Sequence, residues 1–153
     1  MKILPLTSTI LLSAIVLFTA GTASADNKTR KDFADFAVLY SAFNSSFISP
    51  EIANAYSIAR GKNRGLVNIA ILPNDATPGT GGRPALVKGY VSNIFAQQQA
   101  LEFFEVSEGS ATYYLAPFRF ENEDFLTFKI SVQPDPDKPA SEVSFQRTFY
   151  HDK

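Results

Sequence analysis

The sequence contains no cysteine and a single histidine, His151, close to its end. Without thiols there are no disulfide staples, a common support of small exported domains, so the fold rests on its core alone. The same absence excludes a lipid anchor attached through a lipobox cysteine. One imidazole and no thiol make no ligand set for zinc, so neither a metal nor another cofactor is expected. A Ser-His-Asp triad would have only His151 to use, and a frayed terminal side chain is the expected state of that residue. No Ser-x-x-Lys run occurs, so the lysine-assisted serine mechanism lacks its signature. A basic excess is missing too. Fourteen Lys and Arg stand against fifteen Asp and Glu, for a formal charge of −1, which is not the footprint of a nucleic-acid binder. The stretch Lys28-Thr29-Arg30-Lys31 is offset by Asp26, Asp32 and Asp35 and reads as a solvated leader.

Long apolar runs are absent as well. A membrane span needs roughly 20 apolar residues, and the run from Ile10 to Phe18 is broken by Thr19, Gly21, Thr22 and Ser24. What stands there instead is Lys2, a short apolar centre, and Ala23-Ser24-Ala25 ahead of the polar Asp26-Asn27-Lys28. That order describes a cleaved secretory signal. Cleavage after Ala25 leaves 26–153, 128 residues, a length suited to one domain. Loss of Lys2 takes the formal charge to −2, and no membrane span remains. The expected address is a bacterial periplasm, where Asn27-Lys28-Thr29 and Asn44-Ser45-Ser46 match the glycosylation pattern by chance.

The chain is 45% hydrophobic and 13% aromatic, enough for a packed core rather than a disordered tail. Phe33 to Phe43 reads as a strand. Ser49-Pro50-Glu51 then supplies an N-cap, a first-turn proline and a first-turn acid, predicting one short helix over about 50–58. Arg64 to Leu72 is apolar on most of both faces, as a covered strand would be. Residues 73–83, with three glycines and two prolines, form a loop. Pro84–Ala96, Leu101–Val106 and Ser110–Phe118 follow as strands, the last two joined by a tight turn at Glu108-Gly109. Phe104 is expected to meet Tyr113 or Tyr114 across that hairpin. Phe125–Val132 and Val143–Tyr150 alternate cleanly, separated by Gln133-Pro134-Asp135-Pro136-Asp137. About seven strands at short spacing predict a mainly β protein, an antiparallel sandwich of immunoglobulin-like type; a small barrel is the alternative.

Gly79-Thr80-Gly81-Gly82 lacks the spacing and the Lys-Ser/Thr ending of a phosphate loop. Carboxylate pairs are the remaining acid–base option: Glu121, Glu123 and Asp124 share a turn, whereas Glu102 and Glu105 fall on opposite faces of a strand. Asp135 and Asp137 fall far short of a calcium loop. Polar residues among apolar ones are the unusual feature. Asn44 ends the first strand, Arg60, Asn63 and Arg64 bracket the entry to the second, and Asn68 sits between Val67 and Ile69. Such residues commonly tie loops to backbone groups. As a binding surface, the candidates are Tyr40, Asn44, Arg60, Asn63, Arg64, Tyr113 and Tyr114, since arginine and tyrosine most often anchor recognition.

Three readings follow. The first is a non-enzymatic module that binds an envelope protein or other envelope component. The second is a small hydrolase of carbohydrate or cell wall using a carboxylate pair. The third is a carrier of a small apolar ligand.

The runs Phe43-Asn44-Ser45-Ser46-Phe47-Ile48-Ser49-Pro50-Glu51 and Lys62-Asn63-Arg64-Gly65-Leu66-Val67-Asn68-Ile69, with Leu101-Glu102-Phe103, Tyr113-Tyr114-Leu115-Ala116 and Phe149-Tyr150, resemble the exported bacterial family described as domain of unknown function 4426. The resemblance implies a periplasmic or secreted protein of Gram-negative bacteria with a β-sandwich-like fold. It implies no activity and carries over no catalytic residue.

Overall fold

A computed structural model of the chain describes residues 29–76 and 81–153; the expected signal segment 1–25 lies outside them. Two antiparallel sheets face each other. The first contains β1 (Arg30–Asp32), β2 (Ala37–Asn44), β3 (Arg64–Leu72), β6 (Phe104–Glu108) and β7 (Ala111–Arg119), in the order β1-β2-β3-β7-β6. The second contains β4 (Leu86–Ser92), β5 (Gln98–Leu101), β8 (Asp124–Gln133) and β9 (Ser141–Phe149), in the order β5-β4-β8-β9. The sandwich expectation is met, with nine strands among the described residues rather than seven.

The two extra strands are β1 and β5, both short, both at sheet edges. β1 is the stretch read as a solvated leader. It pairs with β2 from Arg30 opposite Leu39 to Asp32 opposite Ala37, and its charged residues carry no alternation because three residues are too few to show a period and none of them is fully buried. β5 is hidden for the same reason: Gln98 and Ala100 are exposed, and only Leu101 is fully buried.

The core forms where period-two patterns from the two sheets meet. Val38 and Ala42 of β2, Val67, Ile69 and Ile71 of β3, and Ala116 and Phe118 of β7 face Leu126, Phe128, Ile130 and Val132 of β8, with Val143 and Phe149 of β9. Phe118 meets Phe128 and Phe149 edge-on at 5.2 and 5.1 Å, a favoured aromatic geometry. Phe118 also explains Gly65, which stands opposite it in the ladder. A Cβ there would lie 2.2 Å from the ring.

β3 is apolar on both faces because the first sheet is covered on both. Residues 45–63 fold over its outer face as a 3-10 turn (Ser45–Phe47) and a helix, α1 (Pro50–Ala55). Ser49 Oγ caps the helix by accepting from Ile52 N, as the Ser-Pro-Glu motif predicts. Ala53 and Ile58 pack on Leu66, with Phe43, Phe104 and Leu115 around them. In the β6–β7 hairpin, Phe104 lies opposite Leu115, while Tyr114 meets Glu105 and Tyr113 meets Val106. The expected direct pairing of Phe104 with a tyrosine is therefore displaced, because the turn falls one residue later, at Gly109-Ser110.

The strand directions give the sandwich two distinct ends. The ends of β2, β4 and β7 and the starts of β3, β5 and β8 form the upper end, with residues 45–63, 93–97, 120–123 and 150–153. The β1–β2 turn, the loop after β3, and the β8–β9 loop form the lower end.

Candidate functional site

Of the residues singled out from sequence, Asn44, Arg60, Asn63 and Arg64 come together at the upper end, whereas Tyr40, Tyr113 and Tyr114 are spread along the sheets. Tyr40 faces the second sheet and stacks on Phe145, with ring centroids 4.9 Å apart. Tyr114 is buried. Its hydroxyl accepts from Ala85 N at 2.9 Å and donates to Glu105 Oε2 at 3.1 Å, joining the approach to β4 to the first sheet. Burial pushes its pKa up, and the Glu105 carboxylate adds to that. Tyr113 is half-buried, on the opposite face of β7 from Tyr114.

At the upper end the side chains of Asn44 and Arg60, together with backbone groups of Asn63 and Arg64, hold the chain in shape. Asn44 Nδ2 donates to Tyr150 O at 2.9 Å and to Asp152 Oδ1 at 2.8 Å, drawing the C-terminal residues over the end of β2. The Ser46 hydroxyl and the Asn44 amide keep the Asp152 carboxyl below the ordinary carboxylate range. Arg60 Nη2 donates to Ser46 O. Asn63 O accepts from Phe120 N, and Arg64 N donates to Gly61 O. His151 is half-buried rather than frayed. Its ring lies 5.9 Å from that of Phe120, and its N–H donates to Asn122 Oδ1 at 2.9 Å. The reason is Asn44, which anchors the segment on both sides of the histidine.

Sequence reasoning missed Ser45. It is fully buried, its Oγ accepts from Gly61 N at 3.0 Å and donates to Gly61 O at 3.3 Å, and so it fastens both ends of the covering segment to each other. No local pattern marks it, because its partner is distant in sequence. Between these elements lies a cleft of about 460 Å³ walled by Ser46, Arg60, Lys62, Asp152 and Lys153, with three cations to one anion.

The apolar side chains at this end were also missed. Among the described residues seven large hydrophobic side chains are exposed, and six of them, Phe47, Ile52, Ile94, Phe95, Phe125 and Tyr150, sit on upper-end segments. Ile94 and Phe95 are 71% and 78% exposed at the tip of the β4–β5 hairpin. Asn93 shapes that tip. Its Oδ1 accepts from Phe95 N and Gln97 N, its Nδ2 donates to Gln97 Oε1, and Ala96 takes a left-handed φ of 60°. The hairpin thus presents two large apolar groups from a turn whose polar groups are engaged internally.

The acidic turn lies nearby, but its carboxylates do different things. Asp124 Oδ2 accepts from Glu121 N at 3.1 Å and closes the turn, while Glu121 and Glu123 are exposed. Glu102 falls between β5 and β6 rather than on one strand with Glu105.

Residues 30–152 match the family described as Domain of unknown function (DUF4426). A crystal structure of a DUF4426 family protein from Pseudomonas aeruginosa is 31% identical, covers 81% of this chain and 95% of its own, and superposes with a TM-score of 0.70. FetP of a uropathogenic E. coli strain, recombinantly expressed in the E. coli periplasm, shares the fold at 10% identity. It covers 81% of this chain and 94% of its own, with a TM-score of 0.54. A copper-bound glutamate-to-glutamine variant of FetP gives 0.53 over 80% and 94%, also at 10% identity. No curated protein matches the chain.

Proposed function

We propose, from the premise that this chain belongs to the family described as Domain of unknown function (DUF4426), that it is a non-enzymatic binding module of the bacterial periplasm that docks a protein partner with its upper end. The observation that carries this reading is the segregation of exposed apolar side chains: among the described residues six of seven lie at one end of the sandwich. Exposed apolar groups concentrated in one region mark interaction surfaces, and loops at one end of a sandwich are a common place for recognition. Phe47, Phe95 and Tyr150 serve as anchors. Asn44, Arg60, Asn63 and Arg64 supply the polar surroundings, and the Asn44 amide and Arg60 guanidinium fasten the segments that carry Tyr150 and Phe47. Rigid aromatic groups set among polar ones are the usual composition of binding hot spots. The periplasmic address rests on the signal-like residues 1–25 and agrees with the compartment in which FetP was expressed.

Copper, present in the FetP variant, does not carry over. Soft copper sites are built from imidazole, thiolate and thioether groups, and this chain has one histidine, no cysteine, and Met1 as its one methionine. Among the described residues no three His, Cys, Asp or Glu side chains form a cluster.

The test is site-specific photo-cross-linking in the native host, with the reactive group at Phe47 or Phe95 and a control at Leu86. Leu86 is the remaining exposed large hydrophobic residue and lies at the lower end. A dominant adduct of one mass from the first two positions and none from Leu86 is the expected result. Equal labelling at all three, or none at any, would overturn the reading.

A further inference from the structure

We propose that the lower end of the sandwich holds a second, independent site, which binds a small zwitterion with an apolar side chain, of the amino acid or dipeptide class. A cleft of about 410 Å³ opens there between the β1–β2 turn, the residues leading into β4, and the β8–β9 loop, within the size range of small-molecule sites. Its floor is apolar. Phe33 and Phe36 stack with centroids 4.9 Å apart and rest on the main core, and Pro134 and Pro139 extend the wall. Its rim is charged with both signs, by Arg83 and Lys138 on one hand and Asp35 and Asp135 on the other.

The walls are built rather than loose. Asn74 Nδ2 donates to Phe33 O and Ala34 O, both at 3.0 Å, and clasps the β1–β2 turn from outside. Gln133 Nε2 donates to Lys138 O at 2.8 Å, and Asp135 Oδ1 accepts from Asp137 N at 3.0 Å, so the β8–β9 loop is closed on itself. Lys138 Nζ reaches Asp35 Oδ2 at 2.7 Å and ties the two loops together. Arg83 N donates to Ile71 O, which sets the backbone from which the guanidinium enters the cleft. A site whose walls are fixed beforehand loses less entropy on binding.

The chemistry of the lining selects the ligand. Beside the Asp35–Lys138 pair, Arg83 and the second carboxylate oxygen of Asp135, whose Oδ1 accepts from Asp137 N, are the cation and anion of the lining that would hold a carboxylate and an ammonium above the rings. A wholly apolar ligand would leave these charges desolvated without compensation. A neutral sugar would hydrogen-bond the same charged groups but bring no charge to match either sign, so glucose is the control.

Isothermal titration of the purified protein with L-leucine, L-phenylalanine and leucyl-phenylalanine tests this. Saturable binding of at least one is expected, with phenylalaninamide and N-acetylphenylalanine each at least about tenfold weaker, as the loss of one charge-assisted contact requires. Arg83→Gln should abolish the discrimination against the amide, and Asp135→Asn that against the acetylated form, with unchanged thermal melts. Absence of saturable heat for all three zwitterions at millimolar concentration would overturn the proposal. So would equal binding of the neutralised analogues, binding of glucose alone, or variants that fold but discriminate as before.

Discussion

Ser45 is fully buried, and its hydroxyl both accepts from Gly61 N and donates to Gly61 O. Replacing it with alanine leaves Gly61 N without its acceptor, while Gly61 O keeps the bond from Arg64 N. The expected cost is about 1–3 kcal/mol, read as a lower urea midpoint at unchanged slope. Asn44 acts in the same way on the C-terminal residues, and its loss has a pH signature. The Asp152 carboxyl sits below its ordinary value because of Ser46 and Asn44. A depressed folded pKa contributes stability that is fully present above the unfolded value, near 3.9. That contribution is lost as pH falls through the lower folded value. In Asn44→Ala the Asp152 resonance should titrate at higher pH in NMR, and stability should become less dependent on pH below about 4. An unmoved titration would show that Asn44 does not hold the carboxylate. Tyr114→Phe should cost about 1–2 kcal/mol, because Ala85 N loses its acceptor.

Among the elements, the β4–β5 hairpin is the one whose shape depends on a single side chain. Asn93→Ala removes the acceptor for two turn N–H groups, so hydrogen exchange at Phe95 and Gln97 should accelerate several-fold while the strands beyond the turn keep their protection. Helix α1 is six residues long, too short to persist by itself, and it stands because Ala53 packs on Leu66. Ser49→Ala should therefore cost only about 0.5 kcal/mol, the cap bond being long at 3.4 Å. β9, on the edge of its sheet, is shielded by an inward-pointing arginine. Arg147 Nη1 donates to Ala42 O across the gap, and its guanidinium lies 5.5 Å from the Phe149 ring, one of the means by which exposed strand edges are protected from pairing.

For the whole molecule, the separation of the two ends has a consequence for mutagenesis. Phe47 and Phe95 are 77% and 78% exposed, so the double change Phe47→Ser, Phe95→Ser should leave the melting temperature within about a degree or two, as surface changes do. With the reactive group at the third anchor, Tyr150, the same double variant should lose the adduct that the parent gives there while keeping ligand binding at the lower end. Loss of both together would mean that the two ends are not independent.

The strands that bury one clean face were legible beforehand: β3 was placed at its observed limits, and β8 and β9 within two residues. In each, burial on the sandwich face writes a period of two into the chain, and Ser49-Pro50 writes the start of α1 as plainly. β1 and β5 were not legible, since strands of three and four residues are too short, and bury too little, to leave a pattern. The candidate site divided similarly. Asn44, Arg60, Asn63 and Arg64 stood out as polar residues flanking apolar runs, but Ser45, Asn93 and the lower cleft did not, because each depends on partners that only folding supplies. Composition and pattern by themselves determined a cysteine-free, mainly β chain with alternating apolar faces to bury, for these follow from which residues are present and how they alternate. Only the tertiary structure decided which faces meet, which hydrophobic side chains stay outside, and where charge and ring surfaces converge. Those are properties of strand order and register, and two residues far apart in sequence become neighbours only when the sheets close on each other.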